Sequence, residues 1–376
     1  MRVCAPLDKL AGAHVGVLHR VAMTDPLKHL RDRIDAIDDD VLRLVNQRAE
    51  LARDIGGLKG GGPIYRPERE AQVVHRLQDR NPGPLPAGAI VRLFTEIISA
   101  CRALEQALSV AFLGPRGTFS EEAALKHFGA QVRSQPCASI DDVFREVEAQ
   151  QVGYGVVPVE NSTDGAVGRT LDLLLATPTH ICGEVLLPVH QCLMGKSAFG
   201  EPIRRIYAHA QSLAQCHEWL NQNLPQAERI SVVSNAEGAR LASQEANTAA
   251  LGSQAAAALY QLNVLASNIE DQPNNTTRFL VIADEEAAPS GRDKTSLVMS
   301  TLNRPGAMHD LLAPLAEQGV DMTRMESRPS RTGMWEYVFF VDLKGHQQDA
   351  PVARALAQLR SRASFLKILG SYPAAL

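Results

Sequence analysis

The sequence offers little that would suggest a redox, metal-binding or membrane protein. Its six cysteines are scattered, with no CxxC pair and no Cys/His cluster at zinc spacing, which favours reduced thiols over disulfides or a metal site. No apolar run approaches the length that crosses a bilayer. GxSxG, P-loop, dinucleotide-binding and HExxH motifs are also absent, so no cofactor is implied.

The bulk composition is that of a globular protein with several domains. The chain has 376 residues, 45% hydrophobic and 21% charged, and this length predicts two or three domains. The net charge of -4 argues against nucleic-acid binding by the whole chain, although a site for an anionic substrate needs only local positive charge. Residues 1–23 are expected to be a disordered extension, or else the chain starts at Met23, because polar residues interrupt any signal-peptide core.

The segment 24–109 predicts an all-helical domain. Asp25 can cap a helix with Pro26 at its first position, and apolar residues then recur at helical spacing until Gly56 and later glycines weaken and end it. Two shorter helical patterns follow at about 67–80 and 87–108. One long helix and two short ones bury little apolar surface alone, so we expect dimerisation.

The segment 110–284 predicts a two-lobed α/β domain. Short apolar runs end in small polar residues before helical patterns, as in βα units whose ligand crevice lies at the carboxyl edge of the sheet. We expect lobes at about 110–185 and 186–272, with the segment after 272 crossing back. Three motifs form a split candidate site: Gly114-Pro115-Arg116-Gly117-Thr118-Phe119-Ser120, Pro158-Val159-Glu160-Asn161-Ser162-Thr163-Asp164-Gly165 and Asn275-Thr276-Thr277-Arg278-Phe279.

The rest of the chain predicts a polar linker at 285–294 and a βαββαβ domain at 295–376. This α+β scaffold is common and by itself says little about function. Two motifs in it are candidates for ligand binding: Arg304-Pro305-Gly306-Ala307-Met308 and Glu326-Ser327-Arg328-Pro329.

Together, these segments resemble the bifunctional chorismate mutase/prephenate dehydratase family. Leu30-Arg31-Asp32-Arg33-Ile34-Asp35-Ala36-Ile37-Asp38 is similar to the opening motif of the all-helical mutases, the three middle motifs resemble prephenate dehydratase with its binding-protein-like lobes, and the tail motifs resemble its ACT domain. The resemblance implies conversion of chorismate to prephenate and of prephenate to phenylpyruvate. It also implies feedback inhibition by L-phenylalanine, no cofactor, a cytoplasmic location and a homodimer or larger homo-oligomer.

The resemblance implies that Arg31 and Arg48 bind substrate carboxylates and that Lys59 binds the ether oxygen of chorismate. Arg31 lies about 25 Å along the helix from Arg48, too far to share one small ligand, so Arg31 must reach a partner protomer's site. The implied mutase pocket is completed by Arg69, Glu70, Cys101 and Glu105, with a plain core role as the alternative for Cys101. Glu105 replaces a glutamine donor and can donate only when protonated, which predicts mutase activity favoured at mildly acidic pH.

In the dehydratase segment the resemblance implies that Thr277 donates a proton to the leaving hydroxyl, with Arg278 beside it as a carboxylate partner. Glu160 is expected to have a supporting role, because an ionised carboxylate would repel a dianionic substrate. His209 is either a donor in the site wall or a strand-end histidine. The remaining candidates, expected to supply orienting hydrogen bonds or site walls, are Asn161, Ser162, Gln211, Thr118 and Ser120.

The implied effector site lies between two ACT domains. Its candidate residues are Asn303, Pro305, Gly306, Ala307, Met308, Glu326, Ser327, Arg328 and Pro329. Two other interpretations stay open from the sequence. One is a non-catalytic amino-acid-responsive binding protein, and the other is a dehydratase whose mutase domain is kept only for assembly, which the unusual Arg66, Pro67 and Glu105 would explain.

Overall fold

The front segment is all-helical, as predicted. The computed structural model describes residues 26–58, 64–196, 202–302, 304–329 and 337–375, so the expected extension at 1–23 lies outside the described residues. Its helices are α1 (Pro26–Leu58), α2 (Pro67–Asp79) and α3 (Ala87–Ala103). The third helix ends earlier than the periodicity predicted. No helix in the described ranges is long and apolar enough to cross a membrane.

The long helix α1 contains no buried residue. Most of its large apolar side chains, among them Leu30, Ile34 and Ile37, are more than half exposed. α1 also continues through Gly56, where a Cβ would lie 2.6 Å from Cδ of Glu105. Glycine at this position therefore leaves room for the Glu105 side chain, in addition to weakening the helix.

The middle segment alternates strands and helices. In chain order these are β1 (Ser109–Leu113), α4 (Phe119–Phe128), β2 (Arg133–Cys137), α5 (Ile140–Glu148), β3 (Tyr154–Asn161), β4 (Gly165–Ala166), α6 (Gly168–Ala176), β5 (His180–Pro188), β6 (Cys192–Gly195), β7 (Arg205–Ala208), α7 (Ala210–Gln215), α8 (His217–Asn223), β8 (Glu228–Ser231), α9 (Asn235–Ala242), β9 (Thr248–Gly252), α10 (Gln254–Leu259), β10 (Asn263–Ala266) and β11 (Thr276–Ala283).

These strands form two sheets, one in each lobe. The first has the order β2-β1-β3-β11-β5, with β4 beside β3, and the second has the order β10-β6-β9-β7-β8. β11 returns to the first sheet and runs antiparallel to both β3 and β5. The two lobes and the crossing segment are therefore confirmed.

The tail has the predicted βαββαβ order. Its elements are β12 (Asp293–Ser300), α11 (Ala307–Glu317), β13 (Met322–Pro329), β14 (Tyr337–Lys344), α12 (Ala350–Arg362) and β15 (Phe365–Pro373), with strand order β13-β14-β12-β15. Leu297 and Met299 of β12 pack against the two helices, whereas Val298 on the other face packs into a core with Leu280 of β11. Strand β12 at the centre of the C-terminal sheet is therefore buried on both faces.

The segment expected to be a polar linker is packed against the C-terminal domain. Ala287 is buried, and its carbonyl oxygen is hydrogen-bonded to Nε2 of His346 at 3.1 Å. Asp293 is also buried, and its carboxylate accepts hydrogen bonds from the backbone and side chain of Ser290. These contacts hold the start of β12 in place.

Candidate active site

Two neighbouring cross-strand pairs lie at the centre of the first sheet. Thr277 of β11 is opposite Asn161 of β3, and the next pair is Arg278 with Glu160. Because successive side chains in a strand point to opposite faces, the two pairs face opposite sides of the sheet. The register shifts immediately afterwards, so that β3 contains one extra residue, as in the β-bulges often found beside active sites.

Asn161 orients the hydroxyl of Thr277. Its Nδ2 donates to Oγ1 of Thr277 and to Oδ1 of Asn275, both at 2.8 Å. Its Oδ1 accepts the backbone N–H groups of Thr163 and Asp164 at 3.0 and 3.1 Å, which fixes the amide because these groups can only donate. Oγ1 of Thr277 therefore acts as an acceptor toward Asn161, which leaves its own proton available for a ligand.

A cavity of about 610 Å³ lies beside this pair, between the two lobes. The predicted site residues that line it are Thr118, Ser120, Asn161, His209, Gln211 and Thr277. Helices α4 and α9 begin at this cavity, so their free N–H groups and positive dipole ends are close to it. None of the described lining residues is a lysine or an arginine.

The lobes touch across the mouth of this cavity. Nε2 of Gln211 and Nε2 of Gln215 in the second lobe both donate to Oδ2 of Asp164 in the first. Gly117, at a φ of +82°, approaches α10 so closely that a Cβ would lie 3.3 Å from Cα of Ala256. Gln211 thus serves lobe closure as well as lining the cavity.

Three of the predicted residues do not line the cavity. Ser162 braces β11, because its Oγ accepts the backbone N–H of Thr276 at 2.9 Å. Arg278 and Glu160 face away from the cavity, on the side of the C-terminal domain. The expectation that Arg278 contacts a substrate carboxylate overlooked the alternation of side chains along the strand.

The candidate mutase residues occupy different environments. Arg31 is exposed and Arg48 half-buried on α1, Arg69 is exposed on α2, and Cys101 is buried in α3, while Lys59 lies outside the described residues. The carboxylate of Glu70 is paired with the buried Arg102, which also donates to the carbonyl oxygen of Phe128 at 2.7 Å. Glu70 therefore ties α2 and α3 to α4, which is a structural role beyond the predicted pocket.

The comparisons with known proteins agree with this architecture. Models of chorismate mutase type II, prephenate dehydratase and the ACT domain match residues 30–106, 110–287 and 295–361. The bifunctional chorismate mutase/prephenate dehydratase of Neisseria gonorrhoeae is 53% identical, over 92% of this chain and 96% of its own length. The chain belongs to this bifunctional family.

Two solved structures extend the comparison to the fold. Prephenate dehydratase from Arthrobacter aurescens in complex with L-Phe has a TM-score of 0.65 and 34% identity, over 71% of this chain and 90% of that chain. A protein described as GqqA, a novel type of quorum quenching acylase, has the same TM-score at 29% identity, over 71% of this chain and 98% of its own. The dehydratase and C-terminal folds are thus shared with proteins of more than one described activity.

The predicted effector residues lie on two elements of the ACT domain. Gly306, at a φ of +76°, precedes α11, which begins at Ala307, and Met308 packs against the core under this helix. Glu326 and Arg328 of β13 are half-buried, whereas Ser327 and Pro329 are exposed. Arg328 is paired with Asp172 of α6 at 2.9 Å. Pro305 is exposed, and Asn303 lies outside the described residues.

Several cavity residues were not predicted as site residues. Asn235 and Ser253 follow strands of the second lobe, so the polar residues at those strand ends were a signal that could have revealed them. Gln191 lies in an irregular segment and gave no such signal. It is 1% exposed, and its Oε1 has no hydrogen-bond partner among the described residues. Cys137 also lines the cavity, and burial, with a smaller effect from Glu146, raises the pKa of its thiol, which disfavours a nucleophilic thiolate.

Proposed function

We propose that this chain rearranges chorismate to prephenate, converts prephenate to phenylpyruvate, and is inhibited by L-phenylalanine. The dehydratase activity rests above all on one observation. The hydroxyl of Thr277 accepts a hydrogen bond from Asn161 inside a cavity large enough for a small aromatic precursor.

The dehydration step needs one proton at the leaving hydroxyl. In prephenate the bond to the ring carboxylate breaks, its electrons complete the aromatic ring, and the hydroxyl on the opposite carbon leaves. The Thr277 hydroxyl, polarised by Asn161, donates to that leaving oxygen, and solvent then returns a proton to Thr277. One proton is consumed, and the products are phenylpyruvate, CO2 and water.

A neutral cavity suits this reaction. Prephenate carries two carboxylates, and the described lining offers hydroxyls, amides and helix N-termini in place of cationic side chains. A close cation at the ring carboxylate would stabilise a charge that disappears as CO2 leaves, and it would therefore stabilise the ground state more than the transition state. We assign the pyruvyl carboxylate to the N-terminus of α4 or α9.

Chorismate rearrangement has the opposite requirement, because negative charge grows on the ether oxygen and no group is lost. We assign its binding to Arg31, Arg48, Lys59 and Arg69. The exposed apolar stripe of α1 supports a homodimer, since a contiguous apolar surface of this kind marks an interface. The five cysteines in the described ranges are unpaired and buried, which supports a cytoplasmic location.

The ACT domain is the proposed phenylalanine sensor. Strand β13, which carries Glu326 to Pro329, lies at the edge of its sheet within the described chain. An effector site between two such edges would require a second copy of the chain, as the resemblance implies. The inhibition is therefore proposed to depend on the dimer.

An acylase function has less support. Amide hydrolysis by a serine or threonine requires a base within hydrogen-bond reach of the nucleophile. Among the described residues lining the cavity, no Ser or Thr hydroxyl is hydrogen-bonded to a histidine, and Nδ1 of His209 accepts the backbone N–H of Gln211 at 3.3 Å. We therefore favour the dehydratase.

The decisive experiment supplies chorismate alone to the purified chain and follows phenylpyruvate, with and without phenylalanine. Phenylpyruvate formation that phenylalanine suppresses is the expected result. If the chain converts added prephenate faster than prephenate breaks down spontaneously, but does not convert chorismate, the front domain serves only assembly. Conversion of neither substrate would overturn the proposal and leave a binding protein.

A further inference from the structure

The faces of β3 and β11 that point away from the cavity are joined to the ACT domain. Arg278 and Glu160 are a cross-strand pair, and each is the chain neighbour of a residue in the proposed dehydratase site, Thr277 or Asn161. Both have charged partners in the C-terminal sheet.

Arg278 lies in a buried network and is itself 8% exposed. Its guanidinium donates to Oε2 of Glu184 at 2.8 Å, to the hydroxyl of Tyr372 at 2.9 Å, and to the carboxylate of Asp342. Glu184 belongs to β5, whereas Tyr372 and Asp342 belong to β15 and β14 of the ACT domain. Arg278, the residue after Thr277, thus connects β11 both to β5 and to the ACT domain.

Glu160 makes the second connection. Its carboxylate accepts a hydrogen bond from Nε of Arg324, in β13, at 2.6 Å. The Arg324 side chain is 12% exposed and that of Glu160 is 37% exposed. A charge-assisted bond with one well-buried partner holds a fixed geometry better than an ion pair between two exposed side chains.

The ACT sheet is packed closely against the first sheet of the dehydratase domain. Phe340 and Leu369 share one apolar core with Leu280 of β11 and Ile181 of β5. The backbones of β15 and β5 approach so closely that a Cβ at Gly370 would lie 2.1 Å from the carbonyl oxygen of Ile181. Close packing of this kind transmits displacements, because the interior has little room to relax.

We propose that Arg278 and Glu160 are positioning residues, through which the ACT domain fixes the Thr277–Asn161 pair at the geometry needed for dehydration. This inference rests on the proposed dehydratase function and identifies what orients its proton donor. It replaces the predicted role of Arg278 as a substrate ligand and specifies the supporting role expected of Glu160.

The test uses the Glu160–Arg324 pair, because loss of Arg278 would remove a buried cation that is bound to both Glu184 and Asp342 and could unfold the chain. The variants of the full-length chain are Glu160→Gln, Arg324→Gln, their combination, and Arg324→Lys as the conservative change. Lys367→Gln is the matched control, because Nζ of Lys367 crosses the same junction to the carbonyl oxygens of Leu174, Leu175 and Thr177, away from β3 and β11.

We expect Arg324→Gln to lower kcat for prephenate dehydration about tenfold or more, with KM changed by less than about twofold, since small misplacements of catalytic groups mainly affect the reaction step. Arg324→Lys should recover part of this loss, and Lys367→Gln should remain within about twofold of the wild type. The double variant should be no worse than the poorer single variant, because both changes remove the same contact.

Two results would overturn the inference while the wild type remains an active dehydratase. One is an unchanged kcat in Arg324→Gln. The other is a Glu160→Gln variant that is nearly inactive both alone and combined with Arg324→Gln, and whose residual activity no longer falls at alkaline pH, which would make Glu160 a catalytic acid. A wild type that does not convert prephenate would instead overturn the proposed function itself. Thermal melts of each variant establish that it is folded.

Discussion

The front helices and the interlobe cavity would bind substrates of similar size and charge by different means. The mutase candidates are cationic side chains on helices, Arg31 and Arg48 on α1 and Arg69 on α2. The described dehydratase lining presents hydroxyls, amides and helix N-termini. The difference follows from the reactions, because chorismate keeps both carboxylates while prephenate loses one as CO2. A strong cationic clamp helps the first reaction and opposes the second.

The largest effect is expected from removing the proton donor of the neutral site. Thr277→Val keeps the shape of the side chain but has no hydroxyl, and it should lower kcat for prephenate about a thousandfold, within the range for general acid catalysis. Thr277→Ser keeps the hydroxyl and is the matched control. It should retain far more activity, and both variants should keep wild-type mutase rates. Equal losses in the two variants would show that the hydroxyl is not the important group.

The next largest effect is expected from removing a cation of the proposed chorismate site. Arg48→Met keeps much of the side-chain volume but removes the charge, and it should lower mutase kcat/KM about a hundredfold or more, as loss of a charged donor to the substrate does elsewhere. Dehydration of added prephenate should stay within about twofold of the wild type. The two rates are measured separately, from chorismate disappearance and from phenylpyruvate formation. A wild-type mutase rate in this variant would support a domain kept for assembly.

Ionic strength should affect substrate binding at the two sites differently, but by a smaller factor than these substitutions affect the rates. Side-chain cations attract substrate over distances that salt screens, whereas short hydrogen bonds and helix termini inside a cavity are screened less. Raising the salt concentration to about 0.5 M should therefore increase KM for chorismate several-fold and KM for prephenate by less. KM for each substrate is measured over the same series of salt concentrations. An equal dependence of the two KM values on salt would argue against different means of substrate binding at the two sites.

The smallest effect concerns stability at the junction between the two regions. Nε2 of His127 is 2.7 Å from the Tyr65 hydroxyl, and burial, aided by Arg102, lowers the pKa of His127 to about 4. The unfolded chain then binds more protons between this pKa and the ordinary value of 6.5. The free energy of unfolding should therefore decrease as the pH is lowered through this window. His127 should account for a decrease of about 2 kcal/mol from pH 7 to pH 5.

His127→Gln should remove this part of the pH dependence, whereas a change at the exposed His29, His29→Gln, should leave it intact. Urea unfolding at pH 7 and pH 5 measures the free energies. A wild-type pH dependence in the His127 variant would assign the acid sensitivity to other groups.

The sequence predicted the elements well because each carries a local signal. The helical spacing of α1, the strand-ending polar residues of the lobes and the βαββαβ tail were all found in place. The side of the sheet to which each side chain points was harder to predict. Asn161 and Thr277 meet because β11 enters between β3 and β5, and Arg278 turns away from them toward Asp342, 64 residues further along the chain. The bulge in β3 and the burial of Gln191, whose Oε1 has no hydrogen-bond partner among the described residues, also depend on tertiary packing, which local patterns do not contain.

Complementation between two inactivated chains tests most directly whether two chemically different sites act in sequence. Thr277→Val and Arg48→Met are each supplied with chorismate, alone and mixed, and phenylpyruvate is followed. Thr277→Val alone should accumulate prephenate, Arg48→Met alone should leave chorismate largely unconverted, and the mixture should form phenylpyruvate. Phenylpyruvate at the wild-type rate from either variant alone, or a mixture that forms none, would contradict the account.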